Sequence, residues 1–416
     1  MDMERDVDME TDVDKKGDVL ELDNAAFHME IRRSRSNVHI VVRDVDALNG
    51  QVQIYEDSIC FVHRGHSVRL SLPFGIRALP ESPVSIRQVS GDGLHVTLRL
   101  QPVNSAFPVS CRRSLVSQLR NLKSFQISCL NCGMELLKPN SQVLRVLSLP
   151  SENWRAAVGS WHCNCHSNGL SEVPVPGILR PRVGDYLLGD TQLLLNAQHV
   201  ASAIVSRTAA GKEMGISFEV GKDVEQGQRQ ENEMICSSCG SWLGKIEATG
   251  IAKAYLTEIL LPGSEQFSKD DFRSSRCGSV ESFIAHRLMD LSQSLSTFRF
   301  RVNTPCGHTT LLLWALNSDT LFISRLPTDT GIRPTITGHA VIKVLYSDSR
   351  SLACSWENDF KVQTLELPVR TCHELANTLQ QSTSTMPPSL RSLNHFQVGY
   401  LRLEPAVKLV GSSTPA

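Results

Sequence analysis

The sequence predicts a mainly β protein with peripheral helices, an α+β chain built as two β-rich lobes. Three observations predict this. Short alternating runs rich in Val, Ile and Thr recur along most of the chain. Clusters of Gly, Pro and Asp punctuate them, as in "LPFGIRALPESP" and "SGDG". Few stretches carry apolar residues at helical spacing. With 416 residues, the chain has room for about two to three domains.

Residues 1–24 open with acidic side chains at nearly every second position. Such a segment buries little and repels itself, so it is expected to be a disordered acidic tail. The N-terminal β-rich lobe is expected over 25–205. "NVHIVVRDV", "SICFVHR", "SVRLSLP" and "LHVTLRLQP" alternate as antiparallel strands do, in a sandwich or an open barrel. A Ser-capped helix is expected at 151–161, with Glu152 in its first turn and Trp154, Val158 and Trp161 on one face. "PGILRPRVGDYLLGDTQLLLNAQHV" returns to turns and strands, and 221–234 reads as an exposed loop.

The C-terminal α+β lobe is expected over 206–416. Its best helix is 279–298, capped by Ser279, with Val280, Phe283, Ile284, Leu288, Leu291 and Leu295 on one stripe. "TTLLLWAL", "TLFISRL" and "HAVIKVLYS" follow as strands. The last helix starts at "TCHELANTL", where Thr371 and Glu374 have capping-box spacing. There is no internal repeat.

Composition narrows the function. Forty-two basic side chains meet 43 acidic ones, for a net charge of −1. No global field draws the chain to nucleic acid or acidic lipid, and neither a membrane nor direct nucleic-acid binding is expected. No apolar run approaches the ~20 residues of a membrane span. The N-terminus lacks a signal-peptide pattern, so cytoplasmic and nuclear residence is expected. There the 12 cysteines should be mostly reduced, which favours metal or catalytic roles over disulfides. G-x-S-x-G, P-loop and H-E-x-x-H motifs are absent from the sequence.

"CLNCG" and "CSSCG" supply two C-x-x-C pairs, Cys129 with Cys132 and Cys236 with Cys239, each followed by Gly. Such a turn aims two thiolates at one point, and Gly permits the positive φ it needs. Two such knuckles make a closed, tetrahedral, structural zinc site. More than a hundred residues separate the pairs, against about 15–20 in a compact ribbon. One zinc would then clip distant segments and join the two lobes; the alternative is four independently placed thiols.

"HCNCH" at 162–166 follows the two tryptophans. It reads as a turn after a Trp-packed helix, as a zinc site within the chain, or as a surface for another protein. Cys372, beside His373, sits where free helix N–H groups favour thiolate, which suits a nucleophile. It also falls with Leu375 and Leu379 on an apolar stripe that would bury it inertly. "CGH" at 306–308 is a weaker cluster.

Taken in order, "CLNCG", "VLRVLSLPSENWRAAVGSWHCN", "GDYLLGDTQLLL", "CSSCGSWLGKI", "AYLTEI", "LPVRTCHEL" and "MPPSLRSLNHFQVGYL" resemble the HECT-like ubiquitin-protein ligases that bind ubiquitin-conjugating enzymes. The resemblance covers about 25–408. It implies a ubiquitin transferase whose partners are a ubiquitin-conjugating enzyme and ubiquitin, with substrates of cyclin type. It places enzyme binding in 236–259 and a HECT-like segment from Cys372 to about Pro405, with Cys372 as the candidate thioester-forming residue. This segment is far shorter than a full HECT domain.

Residues 149–166 further resemble a short tail that reaches into a metallo-β-lactamase-type RNA endonuclease. The resemblance implies that Cys163, with Trp154 and Trp161 as anchors, ligates the zinc of the endonuclease subunit of the pre-mRNA cleavage and polyadenylation machinery. Two functions therefore stand side by side. One is a ubiquitin ligase, and the other is a non-enzymatic assembly or regulatory factor for that endonuclease. Nucleic-acid binding through a knuckle is weaker, because aromatics for base stacking are few.

Overall fold

A computed structural model describes residues 20–21, 26–43, 52–63, 66–72, 76–81, 85–101, 115–120, 122, 125–138, 143–149, 181–189, 191–200, 204–207, 213–214, 232–247, 250–261, 280–325, 337–357, 359, 361–403 and 407–408. The chain is mostly β and divides into two compact units. The first holds 1–108, 317–343 and 382–416, and the second holds 109–316 and 344–381. Among the described residues, no helix is long and apolar enough to cross a membrane.

In the first unit, strands Phe27–Arg32, Asn37–Val42, Gly93–Arg99 and Ser85–Val89 form an antiparallel ladder. Phe27–Arg32 also pairs with residues 320–325, and Phe396–Arg402 continues the sheet beyond strand Thr337–Ser347. A smaller sheet is made by Gln53–Ile54, Ser58–His63 and His66–Ser71. Leu20–Glu21, from the acidic segment, runs parallel to it. Period-two alternation puts Phe27, Met29 and Ile31 on one face, where they pack with Ile40, Val96, Ile323 and, from the smaller sheet, Phe61.

The other face of Phe27–Arg32 is buried too, although it carries His28 and Glu30. Glu30 receives Lys343 Nζ at 2.7 Å, the Tyr400 hydroxyl at 2.8 Å and Arg32 Nε at 2.9 Å. Burial opposes its ionisation, but the Lys343 ammonium prevails and holds the carboxyl at about 2. Beside it, His28 stacks obliquely on Phe322 and Tyr400. Burial brings the His28 imidazole down to about 3.

In the second unit an eight-stranded sheet runs in the order Arg145–Ser148, Asp185–Leu188, Gln192–Asn196, Ile251–Tyr255, Trp242–Ile246, Asn232–Cys236, Ile204–Arg207, Glu213–Met214. Its first pair is parallel and the others are antiparallel. Leu193, Leu195, Met234, Leu243, Ala252 and Ala254 build its core. Helix Val280–Leu295 buries Val280, Ile284, Leu288 and Leu291, as its stripe requires. Strand Arg299–Asn303 pairs with residues 309–314 on one side and with Val362–Glu366 on the other.

Three local expectations change. Asn232–Met234, expected within a loop, belongs to strand Asn232–Cys236. Met234 and Cys236 share its buried face while Glu233 is exposed, an alternation hidden by the polar run before it. "TTLLLWAL" and "TLFISRL" are one strand, Thr309–Arg325. The intervening "NSDT" does not turn, because Thr320 pairs with Arg32 and Asp319 accepts the Ser34 N–H at 2.8 Å. The last helix is Val369–Thr385, so it starts before Thr371. Pro368 needs no partner for a missing N–H, and its carbonyl accepts the Cys372 N–H at 2.9 Å.

Candidate functional site

The two C-x-x-C turns are built alike. Cys129 N–H donates to Met134 O at 2.8 Å and Gly133 N–H to Cys129 O at 2.9 Å. Cys236 N–H donates to Ser241 O at 2.9 Å and Gly240 N–H to Cys236 O at 2.8 Å, the same offsets. Gly133 and Gly240 have φ of 75° and 69°, a region other residues enter only with strain. Backbone N–H groups of Asn131 and Cys132 point at the Cys129 sulfur, and those of Ser238 and Cys239 at the Cys236 sulfur.

The four sulfurs of Cys129, Cys132, Cys236 and Cys239 lie within 4.8 Å of one another. Cys129 Sγ is 3.7 Å from Cys239 Sγ, and Cys132 Sγ is 3.6 Å from Cys236 Sγ. Zinc–sulfur bonds of about 2.3 Å at tetrahedral angles put sulfurs about 3.8 Å apart. The cluster therefore fits a four-coordinate metal ion and links segments 110 residues apart in the chain. All four cysteines lie in the second unit.

Their protonation is uneven. Burial pushes the Cys129 thiol up to about 12 and raises Cys236. Burial also opposes ionisation of Cys239, but hydrogen bonds from the Ser241 and Asn131 side chains outweigh it and bring that thiol to about 6. A divalent cation would convert all four to thiolates and supply the charge that the sulfurs lack.

A cleft of about 560 Å³ borders the second knuckle. Glu233 and Trp242 line it from the sheet, Ser241 from the knuckle turn, Glu258 from the turn after strand Ile251–Tyr255, and Pro305 and Cys306 from a hairpin. Pro368, Val369, Arg370 and His373 line it from the start of the last helix. Buried Glu258 accepts Arg370 at 3.0 Å and the Thr371 hydroxyl at 3.1 Å. Thr371 Oγ1 also lies 3.0 Å from Thr257 Oγ1, and Arg370 donates to Thr257 O at 3.2 Å. Thr371, read as half of a capping box, instead pins the helix to the turn at Thr257 and Glu258.

Cys372 faces away from this cleft chemistry. It is 2 % exposed and packs on the same buried stripe as Leu375 and Leu379. Its Sγ donates to Leu367 O at 3.5 Å, and burial raises the thiol. The expected helix at 151–161, with Trp154, Trp161, Cys163 and the rest of "HCNCH", lies outside the described residues. Sequence reasoning missed Trp242, Glu258 and Arg370 as lining of one cleft. The stretch 236–259 contains the first two, but no motif distinguishes them within it.

A family described as "HECT-like Ubiquitin-conjugating enzyme (E2)-binding" matches residues 30–398. This chain belongs to that family. It is 33 % identical over 394 residues to an E3 ubiquitin-protein ligase of Mus musculus, covering 90 % of this chain and 97 % of the relative. It is 33 % identical over 399 residues to the same-named protein of Rattus norvegicus, covering 91 % and 98 %. With that of Homo sapiens it shares 32 % identity over 350 residues, covering 80 % and 86 %. No solved structure matches the chain. Family membership supports a ubiquitin-conjugating enzyme as a partner of this chain.

Proposed function

We propose that this protein is a ubiquitin-protein ligase that docks a ubiquitin-conjugating enzyme at the cleft beside the second knuckle and promotes ubiquitin transfer to protein lysines. One observation carries the reading. The cleft joins Ser241, Trp242 and Glu258, from the stretch that resembles the enzyme-binding segment, to Val369 and Arg370, just before the HECT-like segment, and to His373 within it. Half-buried Trp242 and exposed Val369 offer apolar anchors, and Arg370 and Glu233 offer a charged rim. Zinc held by Cys129, Cys132, Cys236 and Cys239 has a structural part, fixing the turn from which Ser241 and Trp242 project. Cys372 is a core residue in this reading, because a buried thiol with a raised pKa supplies little thiolate and no access.

The test is binding of a ubiquitin-conjugating enzyme, together with discharge of its ubiquitin thioester. Trp242→Ala combined with Val369→Asp should weaken binding at least tenfold and slow discharge in proportion. Wild-type affinity and discharge in that variant would remove the cleft from the account.

A further inference from the structure

Strands Asn37–Val42, Gly93–Arg99 and Ser85–Val89 have a polar face opposite the one that packs in the core. Their register sets Asn37 against Arg99, and Ser85 against Thr97. Period-two alternation adds His95 and Arg87 to the same face. Near His95 the face is occupied, because Asp92 accepts the Ser389 hydroxyl and sits 2.9 Å from His95 Nε2. Farther along, Arg87 and Arg99 are exposed. Arg35, in the turn before Asn37, is exposed as well.

A cleft of about 590 Å³ opens here, lined among others by Arg35, Asn37, Ser85, Thr97 and Arg99. Its lining holds two guanidinium groups and no carboxylate. Arg32, Arg69 and Arg77 of the same unit each have a carboxylate partner, in Glu30, Asp57 and Glu56. Arg35 and Arg99 have none among the described residues. Two positive charges beside hydroxyl and amide donors suit an anionic ligand.

The chain itself carries a matching anion. In "DMERDVDMETDVD", residues 2–14, every even position is Asp or Glu. Extended, such a segment puts its carboxylates on one side, about 6.8 Å apart. Residues Leu20–Glu21 pair with Val68 and Arg69 in the unit that holds the cleft. Five residues lie between Asp14 and Leu20, a tether of roughly 20 Å at full stretch. We propose that residues 2–14 dock in the Arg35–Arg99 cleft as an extended segment, its acidic side on the two guanidinium groups. Each exposed ion pair is weak and screened by salt. The tether compensates, since it holds the segment at an effective concentration of about millimolar. Docking also relieves the repulsion among the carboxylates.

The experiment measures binding of a fluorescent peptide of residues 1–16 to the full chain by anisotropy. In one variant Asp6→Asn, Asp8→Asn, Glu10→Gln and Asp12→Asn together weaken the chain's own segment as a competitor. That variant should bind the peptide about tenfold or more tightly than wild type does, and added salt should weaken the binding. Adding Arg35→Glu and Arg99→Glu should abolish it while circular dichroism stays unchanged. A peptide with lysine at its even positions should then bind in its place. Adding Arg350→Glu instead, at an exposed arginine of the second unit, should change nothing. Equal affinity of wild type and the tail variant would overturn the proposal, because the cleft would then be open to acidic peptides in trans. So would binding that survives Arg35→Glu with Arg99→Glu, or no binding to the tail variant at all.

Discussion

Each compact unit buries a cluster of polar groups, and the Glu30 and Asp92 clusters of the first differ from the cysteine cluster of the second. In the first, charges and donors answer one another. Glu30 has Lys343, Arg32 and Tyr400. Asp92 accepts the Ser389 N–H at 3.1 Å and the Ser389 hydroxyl, and sits 2.9 Å from His95 Nε2, whose other ring nitrogen is 3.3 Å from His39. In the second unit, four sulfurs face one another and backbone N–H groups. Glu30 and Asp92 find their partners within the chain, whereas the four sulfurs have the spacing that fits a metal ion. A buried charge needs a partner within reach, and the contrast shows which partner comes from the chain and which from outside it.

The strongest way to break this contrast is to remove one sulfur. Cys129→Ser should release the metal and unfold the second unit, because structural zinc contributes on the order of 10 kcal/mol to folding. Circular dichroism with and without a chelator checks this: wild type should respond to the chelator and the variant should already be altered. Removing one partner in the first unit should have a smaller effect. Glu30→Ala should destabilise by about 3–5 kcal/mol, since it strands the Lys343 ammonium, while Glu30→Leu combined with Lys343→Met should recover most of that loss. Urea unfolding of the three proteins decides it.

Acid sharpens the comparison further. His28 is held at about 3 and His39 and His339 at about 4 by burial. Below the unfolded value of about 6.5, the unfolded chain binds protons that the folded one refuses. Stability therefore falls as pH drops from about 6.5 towards 4. Glu30 acts later. Its lowered carboxyl contributes stability above the unfolded carboxylate value, and that contribution is lost as pH falls towards about 2. His28→Leu should flatten the slope between pH 6.5 and 4, a change metal release cannot mimic. An unchanged slope would contradict the assignment. The smallest effect is expected at Thr371→Val, which removes a donor from Glu258. A loss of about 1 kcal/mol should lower the melting temperature by about 2–4 °C.

Much of this was legible from local pattern. Strands Asn37–Val42 and Gly93–Arg99 follow their alternation, and helix Val280–Leu295 follows its stripe. The two knuckles announce themselves by spacing and Gly, and their thiols meet although 110 residues separate Cys129 from Cys239. What local pattern does not carry is the identity of distant partners. "FHMEIR" alternates like a half-exposed strand, yet its polar face is buried, because Lys343 lies 313 residues from Glu30. Thr371 has the spacing of a capping residue, but its partner Glu258 is 113 residues away. The cleft is assembled from sheet, hairpin and helix, so no single stretch could reveal that Cys306 shares a wall with Trp242 and His373.

The most direct measurement is native mass spectrometry of the full chain beside the Cys236→Ser variant. The account predicts one zinc ion per wild-type chain, bound with loss of the thiol protons, and none in the variant. A wild-type chain that is folded, metal-free and titrates four free thiols at Cys129, Cys132, Cys236 and Cys239 would contradict it.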